Sequence, residues 1–344
     1  MRLVAVSCCV PRNSVSAEAV YERFGQEEVQ KIVRNSGVRA RRIVAPSVTT
    51  SDLCFESAQA LLDASGWDRS SIDAVVFVTQ TPDYGIPATS HILQDRLGLS
   101  DRTFCFDVNL GCTGFTHGLL LGEGLLDGLG MNRVLVLVGD TTSRSCSQWD
   151  RSVCLLFGDA GGAALLEREG PQQVAGRVWG ADGSGALFIQ RPASGFRHQA
   201  TAESFVLKET EGGNRRSDMD TVMDGAQIFN FTIKRVPPMV NDVLAKAEWT
   251  ADEVDAFVFH QANKFIIDYL RRKLKVPAEK APTCLEEFGN TSSASIPLTM
   301  VTRMREQLEA GPAKLVLVGF GVGLSWSSVA MQTEGVRVLP LIEV

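Results

Sequence analysis

The chain has four histidines, His91, His117, His198 and His260, so a proton-handling imidazole can be sought by elimination. His260 directly follows the apolar run Val254 to Phe259, a predicted strand. Ligands of open α/β sheets gather outside the carboxyl ends of strands. His117 stands five positions past Cys112. That is about 500° around a helix, so it is expected to face away. His91 and His198 have no comparable setting. A lone histidine is most often structural, and position alone makes His260 only a candidate.

Cys112 lies between an apolar strand ending near Leu110 and a glycine-rich helical stretch. A helix N-terminus carries unpaired N–H groups and partial positive charge, both of which favour thiolate. Gly111 and Gly114 would allow a sharp turn and close substrate approach. The commoner fate of a cysteine is an inert buried thiol, and Cys105 and Cys154, in apolar runs, read that way. Asn290, in Phe288-Gly289-Asn290-Thr291-Ser292, would in isolation be a turn or N-cap residue. Val316 to Leu324 suggests a dinucleotide fingerprint, but leucine stands where the third glycine belongs and about 20 residues remain. A backbone turn offering N–H donors to an oxyanion fits better.

An internal repeat changes the weight given to Asn290. Ile72-Asp73-Ala74-Val75-Val76-Phe77 matches Val254-Asp255-Ala256-Phe257-Val258-Phe259 at an offset of 182 (254 − 72). Val134-Leu135-Val136-Leu137-Val138-Gly139 matches Lys314-Leu315-Val316-Leu317-Val318-Gly319 at 180 (319 − 139). More weakly, Phe104 to Cys112 matches Cys284 to Asn290 at 178 (290 − 112). The duplication would set Cys112 and Asn290 at symmetric strand ends with His260 nearby, an arrangement suited to acyl-thioester chemistry.

The repeated strands are unbroken apolar runs, as in sheets covered on both faces. Helical patterns at Leu53 to Ala64, Ser90 to Leu97 and Ile266 to Leu274 separate them, which predicts parallel sheets with crossovers. The reading is α/β, with halves 1–170, carrying Cys112, and 171–344, carrying His260 and Asn290. Gly114, Gly118 and Gly122 predict a central helix pressed against its counterpart beyond Asn290.

The 344 residues are 44% apolar and 22% charged, with 34 basic against 40 acidic side chains, a net charge of −6. Disorder, collagen-like repeats and coiled coil are excluded as overall descriptions. Nucleic acid is an unsuitable main partner without a domain-wide basic excess. No run reaches the roughly 18 apolar residues of a membrane span, and the N-terminus reads as a strand rather than a secretory signal. Eight cysteines without a C-x-x-C pair predict reduced thiols in a cytoplasmic protein and no metal site.

The chain resembles β-ketoacyl-acyl-carrier-protein synthase III, within the thiolase-like superfamily. The resemblance rests on Asp107 to Phe115, Phe157-Gly158-Asp159-Ala160-Gly161, His260-Gln261-Ala262-Asn263, Gly289-Asn290-Thr291-Ser292 and the turn Gly319 to Trp326. It implies a duplicated five-layer αβαβα fold with two pseudo-twofold halves, and a homodimer. It implies decarboxylative condensation of an acyl thioester, on coenzyme A or a carrier protein, with malonyl-carrier protein. Cys112 would be acylated, His260 and Asn290 would hold the enolate, and the N–H groups of Cys112 and Val322 would bind the oxyanion. No cofactor beyond thioester substrates is implied.

In the resemblance, Arg151 matches an arginine near the adenine of coenzyme A. Ile86 stands where a phenylalanine often shapes the partner's acyl pocket, and Gly225 belongs to a motif on the pantetheine. Arg271, Arg272 and Lys273 could dock an acidic carrier. The chain departs from the family at Lys31, Asn35, Ala226, Phe265 and Val322. These changes in donor handling suggest a divergent synthase serving a specialised pathway rather than bulk fatty-acid initiation. Two rivals stay open: an acyltransferase moving the acyl group to a hydroxyl or amine, and an inactive partner subunit.

Overall fold

The computed structural model describes residues 1–171 and 173–344. Its first half contains β1 (Arg2–Val10), α1 (Gln26–Ser36), α2 (Thr50–Ser65), β2 (Ala74–Val78), α3 (Thr89–Arg96), β3 (Phe104–Val108), α4 (Gly114–Gly128), β4 (Arg133–Asp140) and β5 (Ala160–Glu167). The second contains β6 (Val174–Ala181), α5 (Gly225–Ala247), β7 (Ala256–Phe259), α6 (Lys264–Lys273), α7 (Ser295–Arg303), β8 (Pro312–Gly321) and β9 (Ser325–Glu334). Short strands β10 (Arg337–Val338) and β11 (Ile342–Glu343) return to pair with β1.

The two large sheets are ordered β10-β1-β5-β4-β2-β3 and β7-β8-β9-β6. Their registers carry the sequence repeat. Ala74 of β2 lies parallel beside Val134 of β4, and Ala256 of β7 beside Leu315 of β8. The sheets are mixed rather than parallel as expected, because β5 and β9 run antiparallel to β4 and β8. Only Val322 to Leu324 joins β8 to β9, and a parallel crossover needs a dozen or more residues. The weakest repeat pair also diverges. Phe104–Val108 is a strand, whereas Leu285–Phe288 is a single helical turn.

Both faces of each sheet are covered. Val134, Val136 and Val138 of β4 meet Phe115, Leu119 and Ile296 of the central helices. Leu135 and Leu137 point the other way, into the cluster of Leu61 and Leu62 of α2. In β8, Leu315 and Leu317 face the centre, and Val316 and Val318 face Val240 of α5 and Ile267 of α6. A side chain so buried contributes about 1.5–3 kcal/mol, so neither face can turn polar. The order of layers is α2, first sheet, α4 with α7, second sheet, α5 with α6: the five-layer αβαβα arrangement.

The glycines of α4 do something other than expected. A Cβ on Gly114 would lie 2.6 Å from Cβ of Ser293, a close approach to the counterpart segment. One on Gly118 would lie 2.7 Å from Cγ1 of Val136, and one on Gly122 would strike Leu166. Beyond its first turn the small stripe seats α4 on the first sheet, not on another helix.

Candidate active site

Cys112 follows β3 in a tight loop and immediately precedes α4. Its thiol is half-buried, and the backbone N–H groups of Val322 and of Cys112 itself both point at its sulfur, with the Ser292 hydroxyl as a third partner. Val322 is delivered by the turn between β8 and β9. Gly321 has a φ of 152° there, and a Cβ on it would sit 2.6 Å from Cβ and 2.7 Å from Sγ of Cys112. Only glycine lets this turn close over the Cys112 sulfur. Burial pushes the thiol up to about 11. The Val322 N–H opposes that, the Asp140 carboxylate adds to it, and the Cys112 N–H and Ser292 hydroxyl oppose it more weakly. The resting sulfur is therefore a protonated thiol with donors already aimed at it, rather than the thiolate its helix-start position suggested.

His260 ends β7 and is 1% exposed. Its main-chain N–H donates to the Val318 carbonyl of β8 at 2.7 Å, and its ring stands edge-on to Phe320 at 5.5 Å. Ring Nδ1 lies 2.8 Å from Ser295 Oγ. That oxygen also accepts from the Gln261 N–H at 3.4 Å, an arrangement that leaves its own proton free to meet Nδ1 and so matches a neutral ring protonated on Nε2. Burial drives the imidazole down to about 3, against a backbone hydrogen bond with Ser292 that works the other way. The ring is neutral at pH 7.

Asn290 is held by its main chain, which accepts from the Gly158 N–H at 3.1 Å and donates to the Leu156 carbonyl at 2.9 Å. Its Oδ1 accepts the Ser292 N–H at 2.9 Å, and Nδ2 reaches the Ala262 carbonyl at 3.4 Å. Ser292 is thus the common neighbour of the three candidates. Its hydroxyl contacts Cys112, its backbone contacts His260, and its N–H holds Asn290. Its φ of 50° makes this possible, a left-handed conformation rare outside glycine.

Sequence reasoning did not single out Ser292 or Asp140. Asp140 is 1% exposed at the end of β4. Its Oδ1 accepts from the Gln80 N–H (2.7 Å) and the Thr79 hydroxyl (3.2 Å), and Oδ2 from the Ser293 hydroxyl (2.8 Å) and N–H (3.3 Å). Burial raises its carboxyl, and these donors, with the Ser292 hydroxyl, resist. An acidic residue ending the apolar run Val134 to Gly139 was the signal available for it.

Two cavities flank this cluster. One of about 480 Å³ is lined by Ile32, Asn35, Arg151, Met223, Asn263 and Phe265, among others. Arg151 sits at it with Nη2 on the Gly212 carbonyl (3.0 Å). Gly225 opens α5 exposed to solvent and does not line it, whereas Met223 of the same motif does. The second, of about 210 Å³, holds Cys112, Ser292 and Val322. Ile86 is 89% exposed on a surface loop and lines neither. On α6, Arg271 is tied to Asp268 (3.0 Å), and Arg272 and Lys273 are exposed. His117 faces away from the site as expected, with Nδ1 2.9 Å from Ser327 Oγ. His91 and His198 are exposed.

Comparison with known proteins identifies the family. Residues 106–194 match the family described as 3-oxoacyl-[acyl-carrier-protein (ACP)] synthase III, and residues 244–333 match that family's C-terminal domain. The β-ketoacyl-[acyl-carrier-protein] synthase III of Natranaerobius thermophilus is 33% identical over 317 residues, 89% of this chain and 93% of that one. The crystal structure of a 3-oxoacyl-(acyl-carrier protein) synthase from Burkholderia xenovorans superposes with a TM-score of 0.93 at 39% identity, covering 100% of this chain and 97% of that one. The priming β-ketosynthase of the R1128 polyketide pathway superposes at 0.82 with 30% identity, covering 97% and 96%. The chain belongs to the 3-oxoacyl-[acyl-carrier-protein] synthase III family of condensing enzymes.

Proposed function

We propose that the chain forms a 3-oxoacyl thioester by decarboxylative condensation, with Cys112, His260 and Asn290 as the catalytic groups. The sulfur of Cys112 attacks an acyl thioester. A C–S bond forms, the donor's C–S bond breaks, and the donor thiol leaves with the proton of Cys112. A malonyl thioester then binds with its carbonyl oxygen toward Nε2–H of His260 and Nδ2 of Asn290. The bond to its carboxylate breaks, CO₂ leaves, and the electron pair becomes an enolate held by these neutral donors. Its carbon attacks the acyl-cysteine, the new C–C bond forms, and Cys112 departs as thiolate and is reprotonated. The N–H groups of Cys112 and Val322 bind the oxyanion in both transfers. A neutral His260 suits this work, because a proton already on Nε2 can be donated without a charge being buried first.

The observation that carries this reading is the convergence of all three groups on Ser292. We further propose that the donor's pantetheine arm occupies the 480 Å³ cavity with Arg151 near its outer end, and that the bound thioesters are carried by coenzyme A and an acyl carrier protein. Exposed Arg272 and Lys273 suit an acidic carrier, and Ile86 and Phe196, 89% and 95% exposed, suit burial in a homodimer. Unpaired thiols at all eight cysteines suit the cytoplasm. No helix among the described residues is long and apolar enough to cross a membrane. Carboxyl-labelled malonyl thioester tests the reaction. Labelled CO₂ released in step with acyl donor consumed is expected. Acyl transfer to a hydroxyl or amine without CO₂ would favour the rival acyltransferase.

A further inference from the structure

The cavity that holds Cys112 is lined mainly by polar side chains. Apart from Cys112, only Phe157, Ile189 and Val322 among the residues lining it are apolar. The remainder include Gln80, Asn109, Gln190 and Arg191. Arg191 is half-buried, and its Nη2 donates to the Gln80 carbonyl at 3.2 Å. A guanidinium has five N–H donors, and the remaining four find no hydrogen-bond or ion-pair partner among the described residues. No Asp or Glu lines the cavity. In the adjoining outer hollow, which Arg191 also lines, the other charged residues are Asp83 and Arg144; Asp83 accepts from Ser51 at 2.7 Å through Oδ2, its Oδ1 is buried without a hydrogen-bond partner, and no ion pair joins it to Arg191 among the described residues.

A half-buried cation with open donors lacks compensation, and its planar fork matches a carboxylate bidentately. At about 210 Å³ the cavity is the smaller of the two beside Cys112, which favours a short acyl group. We propose that Arg191 selects an acyl group ending in a carboxylate, a short dicarboxylic acid monothioester such as succinyl or glutaryl. This rests on Cys112 being the acylated nucleophile. The carboxylate is a spectator: Cys112 Sγ bonds to the thioester carbon, the pantetheine thiol leaves with the thiol proton, and the distal carboxylate keeps its charge against Arg191.

A competition experiment tests it. Equimolar succinyl- and 4-methylpentanoyl-pantetheine, the second an apolar isostere, are mixed with the enzyme, and the two acyl-enzyme masses are compared. Pantetheine thioesters are used because coenzyme A and carrier proteins share that arm. The expected ratio favours succinyl by about 10- to 100-fold, the worth of a charge-assisted hydrogen-bond pair. In Arg191→Leu the ratio falls to unity or inverts, and in Arg191→Lys it falls part of the way. A wild-type ratio favouring the isostere overturns the proposal even if no variant folds, as does an Arg191→Leu enzyme that loses both reactions in proportion. Acylation by the isostere alone would sink the carboxylate and leave the nucleophile standing. Failure of every thioester, acetyl included, to label Cys112 would sink both.

Discussion

Asp140→Asn separates two effects of one buried carboxylate. Every partner of Asp140 can donate to it, from Gln80, Thr79 and Thr81 on one oxygen and Ser293 on the other. An asparagine must turn its NH₂ toward one of these sets. One buried N–H then loses its acceptor, at about 1–3 kcal/mol, and the surviving bonds lose their charge assistance. The expected destabilisation is about 2–4 kcal/mol in urea unfolding. The thiol should move the other way. The Asp140 charge raises Cys112, so its removal should lower the thiol. Iodoacetamide should then alkylate Cys112 measurably faster at pH 7, followed peptide by peptide with the buried Cys284 as a control for loosening. Unchanged or slower alkylation of Cys112 in a folded Asp140→Asn protein would refute the electrostatic argument.

Two other perturbations have definite signs. His260 titrates near 3 when folded and at about 6.5 when free, so between those values the unfolded chain binds a proton that the folded chain refuses. Its contribution to stability is full above about pH 6.5 and is lost as pH falls toward 3, by at most about 1.4 kcal/mol per unit. Urea unfolding of His260→Gln should show a pH slope shallower by about one proton over that range, and an equal slope would contradict the buried neutral ring. Gly321→Ala forces a Cβ to within 2.7 Å of the Cys112 sulfur and strains a positive φ. It should cost about 1–3 kcal/mol of stability and about 100-fold or more in acylation rate, read by rapid-quench mass spectrometry. Near wild-type acylation would show that the turn does not close on the nucleophile.

The strand pairs that carry the site were legible because both faces of each sheet are buried. Unbroken runs such as Val134 to Val138 can be nothing else, and their offset near 180 paired β2 and β4 with β7 and β8. Strand direction was not legible, since it is set by the three-residue link from β8 to β9 and by where β5 inserts. The glycines of α4 revealed close approach but not to what, because Val136 and Leu166 come from a different layer. Candidate residues whose role follows from strand ends, Cys112 and His260, could be read from position. Ser292 could not, because nothing in Asn-Thr-Ser announces a left-handed serine. Ile86 shows the limit of one chain. Its side chain lies in solvent here, 89% exposed, and lines no cavity of the single chain among the described residues.

Intact-mass spectrometry after incubation with a set of acyl thioesters addresses the nucleophile most directly. A single added acyl mass on the wild-type protein, absent from Cys112→Ala, is the result the geometry demands. A Cys112→Ala protein that still gained that mass would move the chemistry to another side chain and dissolve the role given to the Gly321–Val322 turn.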